Sequence, residues 1–152
     1  FLQQQSRRSK VKMVGTDNNS SADLLQRCAT LLGATGVAAG AFGAHALKEK
    51  LSQKPGRMDN WRTAVMYQLI HATAVLALST CASSRQEMKD NPKSSLGYYI
   101  TGGKMMTIGT MMFSGSIYGL CLDIGPKRLL GPITPLGGLL MIGGWAVLGF
   151  GG

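Results

Sequence analysis

The sequence predicts an all-α fold, an integral membrane bundle of four transmembrane helices. Charged residues make up only 15% of the chain and hydrophobic residues 45%, whereas a soluble domain carries about 25% charged residues. Four apolar runs follow one another, and each is close to the roughly 20 residues that a helix needs to cross a bilayer. We therefore divide the chain into a basic polar N-terminal extension, residues 1–22, and a four-helix transmembrane domain, residues 23–152.

The four predicted spans are Leu24–Leu47, Thr63–Ala82, Met105–Leu122 and Leu129–Phe150. None of them alternates polar and apolar residues as a half-buried strand would. The third offers only Ser and Thr as polar side chains and the fourth only Thr134, so neither has the polar face of a soluble amphipathic helix. We therefore expect these runs to face lipid or one another.

Polar links join the spans, and a Pro-Gly turn signal lies in the first of them. The links cover residues 48–62, 83–102 and 123–128. Four spans place both termini on one side of the membrane. Lys and Arg are numerous on both sides, so the distribution of positive charge does not decide the orientation.

The extension is basic and rich in Gln and Ser, with Arg7, Arg8, Lys10 and Lys12 and no acidic residue before Asp17. Organelle-targeting segments have this composition, and so do solvated tails. We expect an organellar membrane, either a plastid thylakoid or a mitochondrial inner membrane, and leave the choice open.

The net charge of +9 restricts the partners. A nucleic-acid-binding protein would carry its basic residues on a recognisable soluble module, and here they fall between apolar runs. This placement favours membrane lipids and other membrane-protein subunits as partners, with no nucleic acid and no known small-molecule substrate. The three cysteines form no CxxC pair; we interpret them as small buried hydrophobes, with a disulfide or a metal ligand as the alternative.

Small residues recur along the spans at helical spacing. In the first span Gly33, Gly36, Gly40 and Gly43 form one stripe. Glycine lets helix backbones approach closely in lipid, where the hydrophobic effect does not drive helices together. We predict helix-packing positions at this stripe and, in the third and fourth spans, at Ser114, Gly115, Ser116, Gly137 and Gly138.

Four polar residues lie in or at the end of the spans: His45, Tyr67, Gln68 and His71. Intramembrane polar groups are costly and usually paired. We expect His45 to end the first helix near the membrane surface, and His71 to point into the bundle and join helices by bonding a hydroxyl or carbonyl group. The alternative is a chemical site: a proton relay, a metal site or a haem ligand pair. Two histidines fall short of the usual zinc ligand set, and we predict no catalytic, cofactor or metal site.

Four ordered blocks carry a resemblance to a known family: GATGVAAGAFGAHALKEKL, WRTAVMYQLIHATAVLAL, MMFSGSIYGL and GPITPLGGLLMIGGWAVL. They resemble the DUF423 family of small four-helix membrane proteins, whose eukaryotic members are called transmembrane protein 256. The resemblance covers about residues 31–150. It implies a multi-pass membrane protein and no established activity. The polar start and the 83–102 link are longer here.

We expect a non-catalytic accessory or structural subunit of a larger organellar membrane complex, respiratory or photosynthetic. The glycine faces and the lack of a recognisable catalytic set support this expectation. The alternative is a small transporter or channel that uses His45, Tyr67 and His71 around a polar cleft. A third, weaker hypothesis is an enzyme or a haem- or quinone-binding protein.

Overall fold

The computed structural model describes residues 2–87 and 93–150 and places them in five α-helices. These are α1 (Leu2–Ala44), α2 (Lys48–Ser52), α3 (Arg57–Glu87), α4 (Lys93–Leu122) and α5 (Lys127–Phe150). Neither of the two described ranges contains a strand. The predicted all-α fold is therefore confirmed.

Four long helices run up and down beside one another. α1 packs along α3, α3 packs along α4, and α4 packs most extensively on α5. α1 also approaches α4, where the side chain of Leu25 lies against Gly103. The helices α1, α3 and α4 thus surround a common interior, and α5 lies against the outer side of α4.

The interior is filled in three layers. One end holds Ala22, Ala82 and Ile100. The middle holds Leu25, Ala29, Val75 and Met106. The other end holds Leu51, Trp61, Ala64, Ile117 and Cys121. Leu51 is fully buried, so the short helix α2 closes this end of the bundle.

Three helices are long and apolar enough to cross a membrane: Arg57–Ser84, Leu96–Leu122 and Lys127–Phe150. They correspond to the second, third and fourth predicted spans. The first predicted span, Leu24–Leu47, is helical as far as Ala44 but does not meet the same measure of length and hydropathy within the described residues. Gln26 and Arg27 lie near its start, and glycine and threonine recur along it, so its mean hydropathy stays low. Three candidate spans, not four, are therefore found on this measure.

Most of the helices extend beyond the predicted spans, and two starts differ most from those predicted. α1 begins at Leu2, inside the stretch described as the polar extension, and α4 begins at Lys93, inside the predicted 83–102 link. The link was interpreted as polar and non-helical, but Gly102 at its end and the adjacent Gly103 support helix packing. A methyl group on Gly102 would lie 3.1 Å from the carbonyl oxygen of Gly144, and one on Gly103 would lie 2.9 Å from Leu25 Cδ1. Residues 88–92 of the link lie outside the described residues.

All three cysteines are free. Cys121 is buried, as predicted, while Cys28 is half-buried and Cys81 is exposed. Cys81 lies on the outward face of α3, so its thiol faces the surroundings of the bundle rather than its interior.

Candidate functional site

Gln68 is the centre of a polar cluster that joins three helices. Its side-chain Nε2 donates to the carbonyl oxygen of Leu32 at 2.8 Å and to Thr35 Oγ1 at 2.8 Å, both on α1. Its Oε1 accepts a hydrogen bond of 2.9 Å from the Tyr118 hydroxyl on α4. Both amide hydrogens and the amide oxygen are therefore used. Gln68 is only 5% exposed, so water cannot supply hydrogen bonds to it and these protein partners are needed.

The bonds around Gln68 form a chain. The Thr35 hydroxyl, which accepts from Gln68, donates in turn to the Leu31 carbonyl at 2.7 Å. The sequence of donors therefore runs from Tyr118 through Gln68 and Thr35 to the α1 backbone. Hydrogen bonds that run in one direction polarise one another and strengthen the whole chain.

The glycine stripe of α1 brings its backbone within reach of α3. A methyl group on Gly36 would lie 2.8 Å from Leu69 Cδ2 and 3.5 Å from Gln68 Cδ, and one on Gly40 would lie 3.4 Å from Val65 Cγ1. Gly33 and Gly43 face α3 as well, opposite Ala72 and Trp61. All four predicted stripe glycines therefore lie on the α1–α3 contact.

Trp61 makes a second polar contact with α1, one layer away from Gln68. Its indole Nε1 donates to the Ala39 carbonyl at 2.9 Å, and its ring lies 4.5 Å from the ring of Tyr118. Because Gly43 has no side chain, the indole can lie against the α1 backbone; a side chain at this position would collide with it. Two side chains of α3 thus bond the α1 backbone at separate heights.

A crevice of about 370 Å³ lies beside the cluster, between α1 and α4. Gln68, Thr35, Tyr118 and Ser114 contribute polar atoms to its wall. Each of these groups already has a partner within the protein, and Ser114 donates to the Ala64 carbonyl of α3 at 2.9 Å. Among the described residues no carboxylate, histidine, lysine or arginine lines this crevice, so its wall offers hydroxyl and amide groups but no proton-transfer pair.

His71 lies on another side of α3 and is 6% exposed. Trp145 of α5 donates from its Nε1 to His71 Nε2 at 3.4 Å. Because an indole nitrogen can only donate, Nε2 is the accepting nitrogen and the ring proton is on Nδ1, which donates to the Tyr67 carbonyl at 2.8 Å. The ring of Tyr67 stacks on His71 at 5.9 Å. His71 thus points into the bundle, and its partner on another helix is an indole rather than a hydroxyl or carbonyl.

His45 is the first residue after α1, and its backbone N–H closes the helix on the Ala41 carbonyl at 3.1 Å. It is exposed. The α1 end lies at the height of Trp61, because Gly43 faces that ring. His71 lies ten residues further along α3, or about 15 Å at 1.5 Å per residue. The structure therefore does not bring His45 together with Tyr67, Gln68 and His71.

α4 and α5 approach at two glycine pairs. A methyl group on Gly109 would lie 2.7 Å from the Gly137 carbonyl oxygen, and one on Gly144 would lie 2.9 Å from the Gly102 carbonyl oxygen. Ser116 and Thr134 share a hydroxyl–hydroxyl bond of 2.7 Å across the same contact.

Two of the predicted packing glycines lie outside the close contacts. A methyl group on Gly138 would lie 3.9 Å from Phe113, and one on Gly115 would meet nothing within 4 Å. Gly115 faces the open crevice between α1 and α4. Its place between Ser114 and Ser116 in the sequence therefore does not make it a contact residue.

A charged cluster ties the ends of α3, α4 and α5 together. Asp123 follows α4 with a positive φ of 58°, and the Ile124 N–H closes the helix on the Gly119 carbonyl at 2.9 Å, a Schellman-type ending. The Asp123 carboxylate accepts from Lys127 at 2.8 Å and from Arg57, while Lys54 lies 3.9 Å away. Hydrogen bonds from Lys127 and Arg57 hold the pKa of Asp123 well below its usual range.

This cluster predicts acid sensitivity. A carboxylate whose folded pKa is lowered stabilises the fold above the unfolded pKa, about 3.9 for Asp, and this contribution is lost as the pH falls below that value. Arg57 is 9% exposed, so Asp123→Asn leaves its charge without a carboxylate. We expect Asp123→Asn to lower the melting temperature at pH 7, and to make the decline below about pH 4 shallower than in the wild type.

The matched control for this prediction is Asp59→Asn. Asp59 pairs with Arg62 at 3.7 Å, and both side chains are more than 70% exposed. Its removal should leave the melting temperature nearly unchanged. Equal melting curves for the two variants at pH 7 would contradict the assignment to Asp123.

Sequence reasoning found Gln68 and His71 but missed their partners. Thr35 was one threonine among many small residues, and Tyr118 and Trp145 were noted only within the family resemblance. A polar residue inside an apolar run indicates that a bond is needed; it does not indicate which residue, 33 to 74 positions away in these pairs, supplies it. The pairing of Arg57 with Asp123 had no sequence signal, because both residues lie in polar links.

Comparisons with known proteins find a family of membrane proteins. The family described as "Protein of unknown function (DUF423)" matches residues 39–138. A UPF0382 membrane protein of Schizosaccharomyces pombe is 36% identical over 123 residues, which cover 79% of this chain and 93% of the relative. The UPF0382 inner membrane protein YgdD of Escherichia coli K12 is 32% identical over 112 residues, which cover 74% of this chain and 76% of the relative.

A further relative, a UPF0382 membrane protein of Staphylococcus haemolyticus, is 38% identical over 112 residues, covering 74% of this chain and 80% of the relative. No solved structure matches the chain significantly. The relatives are membrane proteins of bacteria and a yeast, and the chain itself has three helices suited to crossing a bilayer. The chain therefore belongs to the DUF423 family and is an integral membrane protein.

Proposed function

We propose that the chain is a non-catalytic accessory subunit that gives structural support within a larger membrane complex. One observation carries the proposal. The eight buried polar or charged side chains of the described residues are all hydrogen-bonded within the protein: Arg57, Gln68, His71, Ser79, Thr107, Thr110, Ser114 and Ser116. A catalytic group or a transport path needs polar atoms left free for a substrate, whereas a scaffold uses them to fix its helices.

The proposal includes four spanning helices, with α1 as the fourth. α1 lies along α3 from Gly33 to Gly43, so it lies at the membrane depth of α3. Its outward side chains are apolar even though its mean hydropathy is low: Leu31, Val37 and Phe42 are all at least 60% exposed. Seventeen residues separate Arg27 from His45, which is within the length of a spanning helix.

The face for a partner subunit is the outer side of α5. This helix packs on α4 and is the least buried of the three candidate spans. Leu136, Leu139 and Ile142 project from it with more than half of their surface exposed. A helix that packs along one neighbour leaves the widest surface for a helix of another protein, packing as helices do in lipid.

The organellar part of the proposal rests on the basic extension, residues 1–22. The bacterial relatives match 74% of the chain, and the family model matches residues 39–138, which lie outside the extension. We therefore assign the support function to the bundle and the targeting function to the extension. The complex would be respiratory or photosynthetic. Fusion of residues 1–22 to a soluble reporter tests whether the extension is a targeting segment. We expect import of the reporter into a plastid or mitochondrion, and a reporter that stays in the cytosol would contradict the proposal.

A small transporter or channel is the second candidate. The crevice between α1 and α4 favours it, since Gln68 and Tyr118 supply polar atoms to its wall. Proteoliposomes distinguish the two. A subunit should leave the permeability of the vesicle unchanged, whereas a transporter should raise it and lose the increase when Gln68 is replaced.

Pull-down of the tagged full chain from mild detergent tests the subunit proposal. We expect one or more membrane proteins to be recovered in amounts comparable to the chain itself. Leu139→Trp, on the proposed face, should reduce this recovery, while Met111→Trp on α4 should preserve it. Leu139 and Met111 are 63% and 62% exposed, so the two variants add similar bulk to similarly open positions. Recovery of the chain without any partner would contradict the proposal.

A further inference from the structure

A second, larger groove lies between the end of α1 and the first half of α3. Its volume is about 550 Å³, and residues from Gly40 to Lys48 and from Met58 to Ile70 line it. It is separate from the crevice beside Gln68, which lies between α1 and α4. None of the contacts around Gln68, His71 or Asp123 described above fills it.

The groove is amphipathic along its length. Lys48 and Arg62 lie at the end where the helices leave the membrane, while Val65, Leu69 and Ile70 form the walls further in. Arg62 and Ile70 are eight residues apart on α3, which corresponds to about 12 Å. The groove thus changes from cationic to apolar in the direction from the membrane surface to its interior.

Glycines create this shape. Gly40 and Gly43 have no side chain to cover α3, so the α1 backbone forms one wall of the groove directly. The same end of the bundle is strongly basic: residues 45–62 and 123–128 contain seven Lys or Arg against three Asp or Glu. An occupant therefore meets positive charge at the mouth and apolar surface below.

We propose that this groove binds one anionic phospholipid, with the phosphate between Lys48 and Arg62 and an acyl chain along Val65, Leu69 and Ile70. A phospholipid presents a negative headgroup above an apolar chain, which is the same order as in the groove. Lys and Arg at the membrane surface attract such headgroups. The inference rests on the insertion of α1 and α3 in the membrane and not on the subunit function.

The two cations are available to a headgroup. Lys54 and Arg57, also at this end, are engaged by Asp123. Among the described residues the one ion pair of Arg62 is with Asp59, at 3.7 Å and with both side chains more than 70% exposed. An ion pair of this kind contributes little, so a phosphate can replace it.

Native mass spectrometry of the full chain in detergent tests the proposal, with phosphatidylglycerol and phosphatidylcholine of the same acyl chains as the probes. We expect one phosphatidylglycerol molecule to bind more tightly than phosphatidylcholine. Lys48→Gln with Arg62→Gln should reduce the preference by about thirtyfold, since two cations near the surface contribute about 1 kcal/mol each and about 1.4 kcal/mol corresponds to a factor of ten. Lys50→Gln with Arg128→Gln removes the same charge outside the groove and should preserve it.

Bulk inside the groove provides an independent test. Met66→Trp should weaken the binding of both lipids, whereas Ile108→Trp on α4 should not; these two positions are 50% and 53% exposed. Glycerol phosphate, which has no acyl chain, should fail to compete. Equal losses from both charge pairs, equal binding of the two lipids, or full competition by glycerol phosphate would each overturn the proposal.

Discussion

Gly137→Ala is expected to destabilise the protein more than any other small substitution in the α4–α5 contact. The added methyl group would lie 2.5 Å from the Phe113 nitrogen and 2.7 Å from the Gly109 carbonyl oxygen. Both are backbone atoms, so no side chain can turn aside and the two helices must separate. Overpacking of this kind costs about 1–3 kcal/mol. Thermal unfolding in detergent, followed by circular dichroism, measures the loss.

Gly131→Ala is the matched control, because it makes the same change in the same helix. A methyl group there meets nothing within 4 Å, and alanine is about 1 kcal/mol better than glycine in a helix. We expect the melting temperature of Gly131→Ala to equal or exceed that of the wild type. If Gly137→Ala melts at the same temperature as Gly131→Ala, the close approach of α4 and α5 is wrong.

Gln68→Leu is expected to loosen α1 from the rest of the bundle. The substitution keeps a similar volume but removes the bonds to Leu32, Thr35 and Tyr118. A buried group left without its partner costs about 1–3 kcal/mol, while single hydrogen bonds between helices in membranes average about 0.6 kcal/mol. We expect a loss of about 2 kcal/mol in the free energy of unfolding.

A double-mutant cycle with Tyr118→Phe isolates the bond between α3 and α4. If Gln68 and Tyr118 bond each other, the double variant should lose less stability than the two single variants together, by about 1 kcal/mol. Thr73→Val on α3 is the control, because the exposed Thr73 hydroxyl bonds only its own helix, at the Leu69 carbonyl. Strict additivity, or an equal loss from Thr73→Val, would show that the Gln68 cluster does not hold the helices.

The helices were largely predictable, because length and continuity of apolar residues indicate spans directly. The ends of the second and fourth predicted runs lie within α3 and α5. The start of α4 was missed because residues 83–102 were interpreted as a polar link, whereas Gly102 and the adjacent Gly103 pack closely against α5 and α1. The helix α2 was missed because a charged stretch of five residues is too short to show a helical periodicity. The burial of Leu51 holds this helix against the bundle.

The polar site was predictable only in part. Gln68 and His71 stood out as polar residues in an apolar run, and the cost of leaving them unpaired indicated partners. The partners themselves depend on which helices are neighbours and how they are rotated, which a single sequence does not specify. Trp145 meets His71 across the α3–α5 gap because α5 packs on α4. The predicted partner types, a hydroxyl or a carbonyl, did not include an indole.

The native size of the protein in gently solubilised membranes tests most directly whether it acts as a structural subunit. Native electrophoresis of its own membrane, with the chain detected by a tag, measures that size. A subunit migrates in a complex that is several times larger than the chain and that contains at least one other protein. Migration as a lone monomer, or as an assembly of this chain only, would contradict the subunit function.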